Sequence, residues 1–145
     1  MNPMPILMVE DDRQDELLTL RSLRKFNLGN AVDVVRDGQQ ALDYLFREGA
    51  YAAREPGLPA FVLLDLGLPR LGGLEVLARI RADARTRALP VVVFTSSSEE
   101  EDRLASTLGG ANSFVRKPVD FGEFAEKVAR LGIYWLAVNE LPPAG

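Results

Sequence analysis

The sequence predicts an α/β domain: a doubly wound, five-stranded parallel sheet with helices on both faces. Three observations carry this. Apolar runs of strand length recur five times, and three of them, ILMV (6–9), FVLL (61–64) and VVVF (91–94), are apolar throughout. Such runs mark strands buried on both faces, as in a parallel sheet covered by helices. Between the runs lie segments with apolar residues at helical spacing, and no stretch repeats internally or is of low complexity.

Taken in order, the first strand is Ile6–Val9, and a helix follows with Leu17, Leu20, Leu23 and Leu28 as its apolar side. The second strand, Ala31–Val35, is interrupted by Asp33, which suits an edge strand with one exposed face. After the turn at Asp37-Gly38 a second helix carries Ala41, Leu42, Leu45 and Phe46. The connection from Arg47 to Pro59 is the one long loop, with Gly49, Pro56, Gly57 and Pro59 along it. The third strand, Phe61–Leu64, leads through Gly72-Gly73 to a helix carrying Leu74, Leu77, Ala78 and Ile80. The fourth strand, Val91–Phe94, precedes a helix from about Glu99 to Leu108, capped by Ser97 or Ser98 and stopped by Gly109-Gly110. A short fifth strand, Ser113–Val115, leads to a helix near Asp120 with Phe124, Val128, Leu131 and Trp135 on one face.

The 145 residues fit a single domain, 1–145, with a core over about 5–130 and an aromatic extension and tail over about 131–145. Charge and composition narrow the chemistry. With Lys+Arg at 17 and Asp+Glu at 21, the net charge of -4 argues against nucleic-acid binding, which rests on a basic surface. No apolar segment reads as a signal peptide or membrane span, so the expected location is the cytoplasm, with no membrane partner. The chain has no Cys and no His. That removes thiolate zinc sites, cysteine nucleophiles and the usual general base. Carboxylates, hydroxyls, amines and a hard metal ion remain.

In open parallel sheets ligands bind beyond the carboxyl ends of the strands. Glu10, Asp11 and Asp12 stand after the first strand, Asp65 after the third, Thr95 and Ser96 after the fourth, and Lys117-Pro118 after the fifth. Each has an ordinary reading alone. Acids suit a helix start, an aspartate or threonine can satisfy nearby backbone groups, and a lysine belongs on a surface. Together on one rim they have a chemistry. Clustered carboxylates repel one another, and a divalent cation relieves that repulsion; oxygen ligands alone favour Mg²⁺ or a similar ion. A metal beside a carboxylate, with a hydroxyl and a lysine near, can cradle a phosphoryl group, and an aspartate can accept it covalently.

The motifs ILMVEDD (6–12), LLDLGLP (63–69), VVVFTSS (91–97) and FVRKP (114–118) resemble those of response-regulator receiver domains, in order and spacing, over nearly the whole chain. The resemblance implies a flavodoxin-like strand order, 2-1-3-4-5, and a role in two-component signalling. It implies Asp65 as the phosphoacceptor, with Mg²⁺ held directly by Asp11 and Asp65, through water by Glu10, and by the backbone carbonyl of Gly67. Thr95 would contact the phosphoryl group and move on activation, Phe114 would be the aromatic switch, and Lys117 would pair with the acceptor; Lys117-Pro118 would be cis. Gly67 stands where Asn is commoner, Gly72 where an acid or amide often precedes Gly73, and Phe114 where Tyr is frequent.

The long loop after the second helix and the carboxyl end LGIYWLAV (131–138) are similar to single-domain regulators of phytochrome-type sensor kinases. The partner expected is therefore a sensor histidine kinase, and the activity a self-catalysed phosphotransfer and slow hydrolysis. Two other classes stay open: a metal-dependent phosphatase with an aspartate nucleophile, and a non-phosphorylated scaffolding pseudo-receiver. The phosphatase would want its nucleophile after the first strand. Ile133, Tyr134, Leu136, Ala137 and Val138 add apolar surface to the last helix, so a two-fold homodimer through the fourth helix, fifth strand and fifth helix is also expected.

Overall fold

The computed structural model describes residues 4–25, 30–106 and 110–130. Five parallel strands, β1 (Ile6–Val9), β2 (Val32–Val35), β3 (Val62–Asp65), β4 (Val91–Thr95) and β5 (Ser113–Arg116), lie in the order β2-β1-β3-β4-β5. Helices α1 (Arg13–Lys25), α2 (Gly38–Phe46), α3 (Gly73–Ala82), α4 (Ser98–Ala105) and α5 (Phe121–Arg130) follow the strands in turn. The doubly wound class and the strand order agree with expectation.

Strand alternation divides the core into two layers. Ile6, Met8, Leu63, Val92, Phe94 and Val115 face α1 and α5, packing on Leu23, Phe124 and Val128. Leu7, Val9, Leu64, Val91 and Val93 face α2, α3 and α4, packing on Ala41, Leu45, Val76, Leu77, Ile80 and Leu104. The three fully apolar strands are thus buried on both faces, each large side chain contributing about 1.5–3 kcal/mol by leaving water. β2 lies at the sheet edge with Asp33 exposed, as its interrupted pattern requires.

Three sequence readings shift. In α1, Leu17 and Leu18 are 45% and 39% exposed, while Glu16, Thr19 and Ser22 are buried with Leu23. The rotation of this helix is set at its start: Asp12 Oδ1 accepts from the Asp15 N–H (2.9 Å), and the Glu16 carboxylate accepts from Arg36 (2.5 Å). The inward turn of Glu16 carries Leu17 outward. In α3, Ala78 is exposed and Val76 takes the core position. The long loop contains a 3-10 turn at Gly49–Tyr51 and is tied down by Arg54, whose guanidinium donates to the carbonyls of Tyr44, Glu55 and Gly57. Leu28, Leu131, Trp135, the stop at Gly109 and the apolar residues 133–138 lie outside the described residues.

Gly73 opens α3 under the end of β3. A Cβ there would stand 2.5 Å from the Asp65 carbonyl oxygen and 2.7 Å from Leu66 Cα. Only glycine lets the helix start this close to the strand that presents Asp65.

Candidate phosphorylation and metal site

The short connections after β1, β3, β4 and β5 bring their side chains to one rim. Glu10 continues β1 pairing, its N–H donating to the Val35 carbonyl (3.0 Å), so its carboxylate is held 1% exposed at the strand end. Asp12 caps α1, and its own N–H donates to Glu10 Oε2 (3.2 Å). Asp11 is exposed between them. Asp65 closes β3 and is 3% exposed; its Oδ1 accepts from the Gly67 N–H at 3.1 Å. One carboxylate oxygen from each of Glu10, Asp11 and Asp65 lies within 4.8 Å of the others.

Lys117 enters from the end of β5, its N–H donating to the Thr95 carbonyl (2.7 Å) and its peptide bond to Pro118 cis. Its Nζ lies 2.9 Å from Glu10 Oε1, 2.8 Å from Asp15 Oδ2 and 3.4 Å from Asp65 Oδ2. Burial pulls the ammonium's pKa down, but hydrogen bonds to Asp15 and Glu10 and the charge of Asp65 outweigh it and hold the pKa above its usual value. Glu10 goes the other way: burial, then the negative charge of Asp65, push its carboxyl up to about 7, although Lys117 and the Asp12 N–H oppose this. Packing several acids around one lysine leaves negative charge uncompensated, and a hard divalent cation is what such an all-oxygen cluster suits.

Thr95 ends β4 fully buried, its hydroxyl donating to Glu101 Oε2 at 3.2 Å. Glu101 is also hydrogen-bonded by Arg116 Nε, and Arg116 reaches Ser98 Oγ (3.1 Å). Ser97 caps α4, as expected. Phe114 is 38% exposed on β5, with Lys127 Nζ 5.5 Å from its ring centroid, so it is not a core aromatic.

Residues 6–129 match the response regulator receiver domain family. The chain belongs to that family. Receiver domains bind a divalent metal, and the carboxylate cluster has the composition for one. The bacteriophytochrome response regulator RtBRR is 53% identical, with a TM-score of 0.88 over 99% of this chain and 86% of that one. Response regulator Rcp1 of Synechocystis sp. is 33% identical over 98% of this chain and 95% of its own length. Its Mn²⁺-bound structure superposes with a TM-score of 0.75 over 97% and 99% of the two chains. The phosphorylated cyanobacterial phytochrome response regulator RcpA is 34% identical, with a TM-score of 0.75 over the same shares.

The structure places Glu10, Asp11, Asp65, Gly67, Thr95 and Lys117 on one rim, with Phe114 set back along β5, in register with Val93 and facing Lys127 of α5. Three participants escaped the sequence reading. Asp15 was legible only as one more acid in a helix's first turn. Glu101 was one of three consecutive glutamates, of which spacing alone does not say which turns inward. Arg116 fell just past the expected end of the fifth strand, which in the structure includes it.

Proposed function

We propose that this protein is a single-domain phosphorylatable switch, accepting a phosphoryl group on Asp65 from the phosphohistidine of a sensor histidine kinase. The observation that carries the reading is the buried Asp65 carboxylate clustered with Glu10 and Asp11 and within 3.4 Å of the Lys117 ammonium. In the transfer, the histidine N–P bond breaks as an Asp65 oxygen bonds to phosphorus, and the electron pair returns to the imidazole. Lys117 sits where it can neutralise the growing charge, and Thr95 where its hydroxyl can turn from Glu101 to a phosphoryl oxygen. Glu10, Asp11, Asp65 and the Gly67 carbonyl would hold Mg²⁺, which when bound neutralises phosphoryl oxygens and the carboxylates alike.

The experiment is phosphotransfer from autophosphorylated kinases in the presence of Mg²⁺. Wild type takes up label and Asp65→Asn, which keeps the shape without the nucleophile, takes up none. Label on the Asn variant, or sustained turnover of phosphate esters by the wild type, would favour the phosphatase class instead. Similarity to RtBRR, Rcp1 and RcpA supports a phytochrome-type kinase as donor, and faster transfer from such a kinase than from others tests it. The donor's phosphohistidine would be cytoplasmic, and so would this chain.

A homodimer through α4, β5 and α5 belongs to the same reading. Phe114 supports it, being exposed on β5 beside Lys127 of α5. Sedimentation of wild type against Phe114→Glu tests it; two monomers at micromolar concentration, with and without phosphorylation, would contradict it.

A further inference from the structure

Glu100 lies across Gly67 from the acceptor carboxylate. Its N–H donates to Ser97 Oγ (3.2 Å), and its Oε1 accepts from the Ser96 N–H (2.7 Å). These two bonds at the start of α4 hold the side chain and leave its second oxygen, Oε2, on the Gly67 side. A Cβ at Gly67 would lie 3.7 Å from Glu100 Oε2 and 3.7 Å from Asp65 Oδ1, with nothing else within 4 Å apart from its chain neighbours. Gly67 has no left-handed backbone to explain a glycine. What its missing side chain does is leave a gap between two carboxylates, next to the Asp65 oxygen that Lys117 does not pair.

We propose that Glu100 is a catalytic residue of dephosphorylation, holding the water that hydrolyses the phosphate on Asp65. The inference rests on the reading of Asp65 as phosphoacceptor. The water oxygen bonds to phosphorus, the bond from phosphorus to the Asp65 oxygen breaks, and its electron pair returns to the Asp65 carboxylate. One water proton stays on the new P–OH group; the other passes to Glu100 Oε2 and then to the released phosphate. In phosphoryl transfer an acceptor that orients the attacking water is among the few groups a protein must supply. Gly67 leaves room between the two carboxylates for the phosphoryl group on Asp65, with that water beyond it toward Glu100, across phosphorus from the Asp65 oxygen.

Glu100→Gln separates this role from capping, because the amide oxygen can still accept from the Ser96 N–H while the amide nitrogen no longer accepts from water. Gly67→Ala fills the gap from the other side at ordinary van der Waals distance. The full-length protein is loaded with acetyl phosphate and Mg²⁺, freed of donor, and followed by loss of phosphoprotein on phosphate-affinity gels. Both variants should hold their phosphate at least about tenfold longer than wild type. Decay of Glu100→Gln within twofold of wild type, or faster, overturns the proposal, whatever Gly67→Ala does. Failure of the wild type to load on Asp65 overturns the underlying reading as well, and shows at the loading step before any decay is measured.

Discussion

The Thr95 hydroxyl donates to the carboxylate of Glu101 at 3.2 Å, and Arg116 holds that same carboxylate from β5. The hydroxyl best placed to meet a phosphoryl group on Asp65 is therefore engaged on the α4 side. Moving it to the site gives up that charge-assisted hydrogen bond. Glu101→Ala removes the competing acceptor. Its phosphorylation by acetyl phosphate should be several-fold faster than wild type. An unchanged rate would mean that Thr95 is not restrained by Glu101.

Metal binding should depend on Asp11 above all, because it is the exposed acid of the cluster and makes none of the contacts that tie Glu10 and Asp65 to Lys117. Asp11→Asn should weaken Mg²⁺ by roughly tenfold or more in calorimetric titration. Lys117→Ala should fold and bind Mg²⁺ several-fold more tightly, since the ammonium and the ion compete for the same oxygens. It should nonetheless accept phosphate poorly. Equal Mg²⁺ affinity in Asp11→Asn and wild type would remove Asp11 from the metal site.

Gly73 and Gly72 make a controlled pair. A methyl at Gly73 would be driven into the Asp65 carbonyl and Leu66, whereas one at Gly72 meets nothing within 4 Å. Gly73→Ala should cost about 1–3 kcal/mol in urea denaturation, and Gly72→Ala less than about 0.5 kcal/mol. Equal stabilities would show that the start of α3 shifts freely.

Tyr44 is buried in α2 and donates from its hydroxyl to Asp33 Oδ2 at 2.6 Å. Burial, then that hydrogen bond and the Asp33 charge, raise its phenol pKa well above the ordinary value of 10.0, against a smaller opposing effect of Arg54. An acid raised in the folded state is deprotonated first in the unfolded chain. Its contribution to stability is therefore whole below about pH 10 and declines as pH rises beyond it. The stability gap between wild type and Tyr44→Phe should be constant from pH 7 to 9 and narrow above 10. A gap that widens with rising pH would reverse the assignment.

Much of the fold was legible because burial on both faces leaves a simple mark. ILMV, FVLL and VVVF have no polar position, and a strand so placed has a helix layer on each side. In the α1 stripe Leu20 and Leu23 pack inward as expected while Leu17 faces out, for the opposite reason. A helix beside the site turns Glu16 inward to meet Arg36 and buries Thr19 and Ser22 with it, so its inward face does not follow hydrophobicity alone.

The sequence by itself determined which chemistry was available and where along the chain it stood. Lacking His and Cys, it placed acids after β1 and β3, a threonine after β4 and a lysine after β5, and parallel strands must put such residues on one rim. Only the tertiary structure decided how they are shared. That Lys117 pairs with Asp15 as well as Glu10 and Asp65, and that Glu101 rather than a neighbouring glutamate takes the Thr95 hydroxyl, depends on the rotation of α1 and α4 about their axes. Caps and cross-element contacts such as Asp12, Ser97 and Arg116 set those rotations, and residues 102 positions apart meet through them. Local spacing carries no record of contacts at such separation, because they form only when the whole sheet has closed.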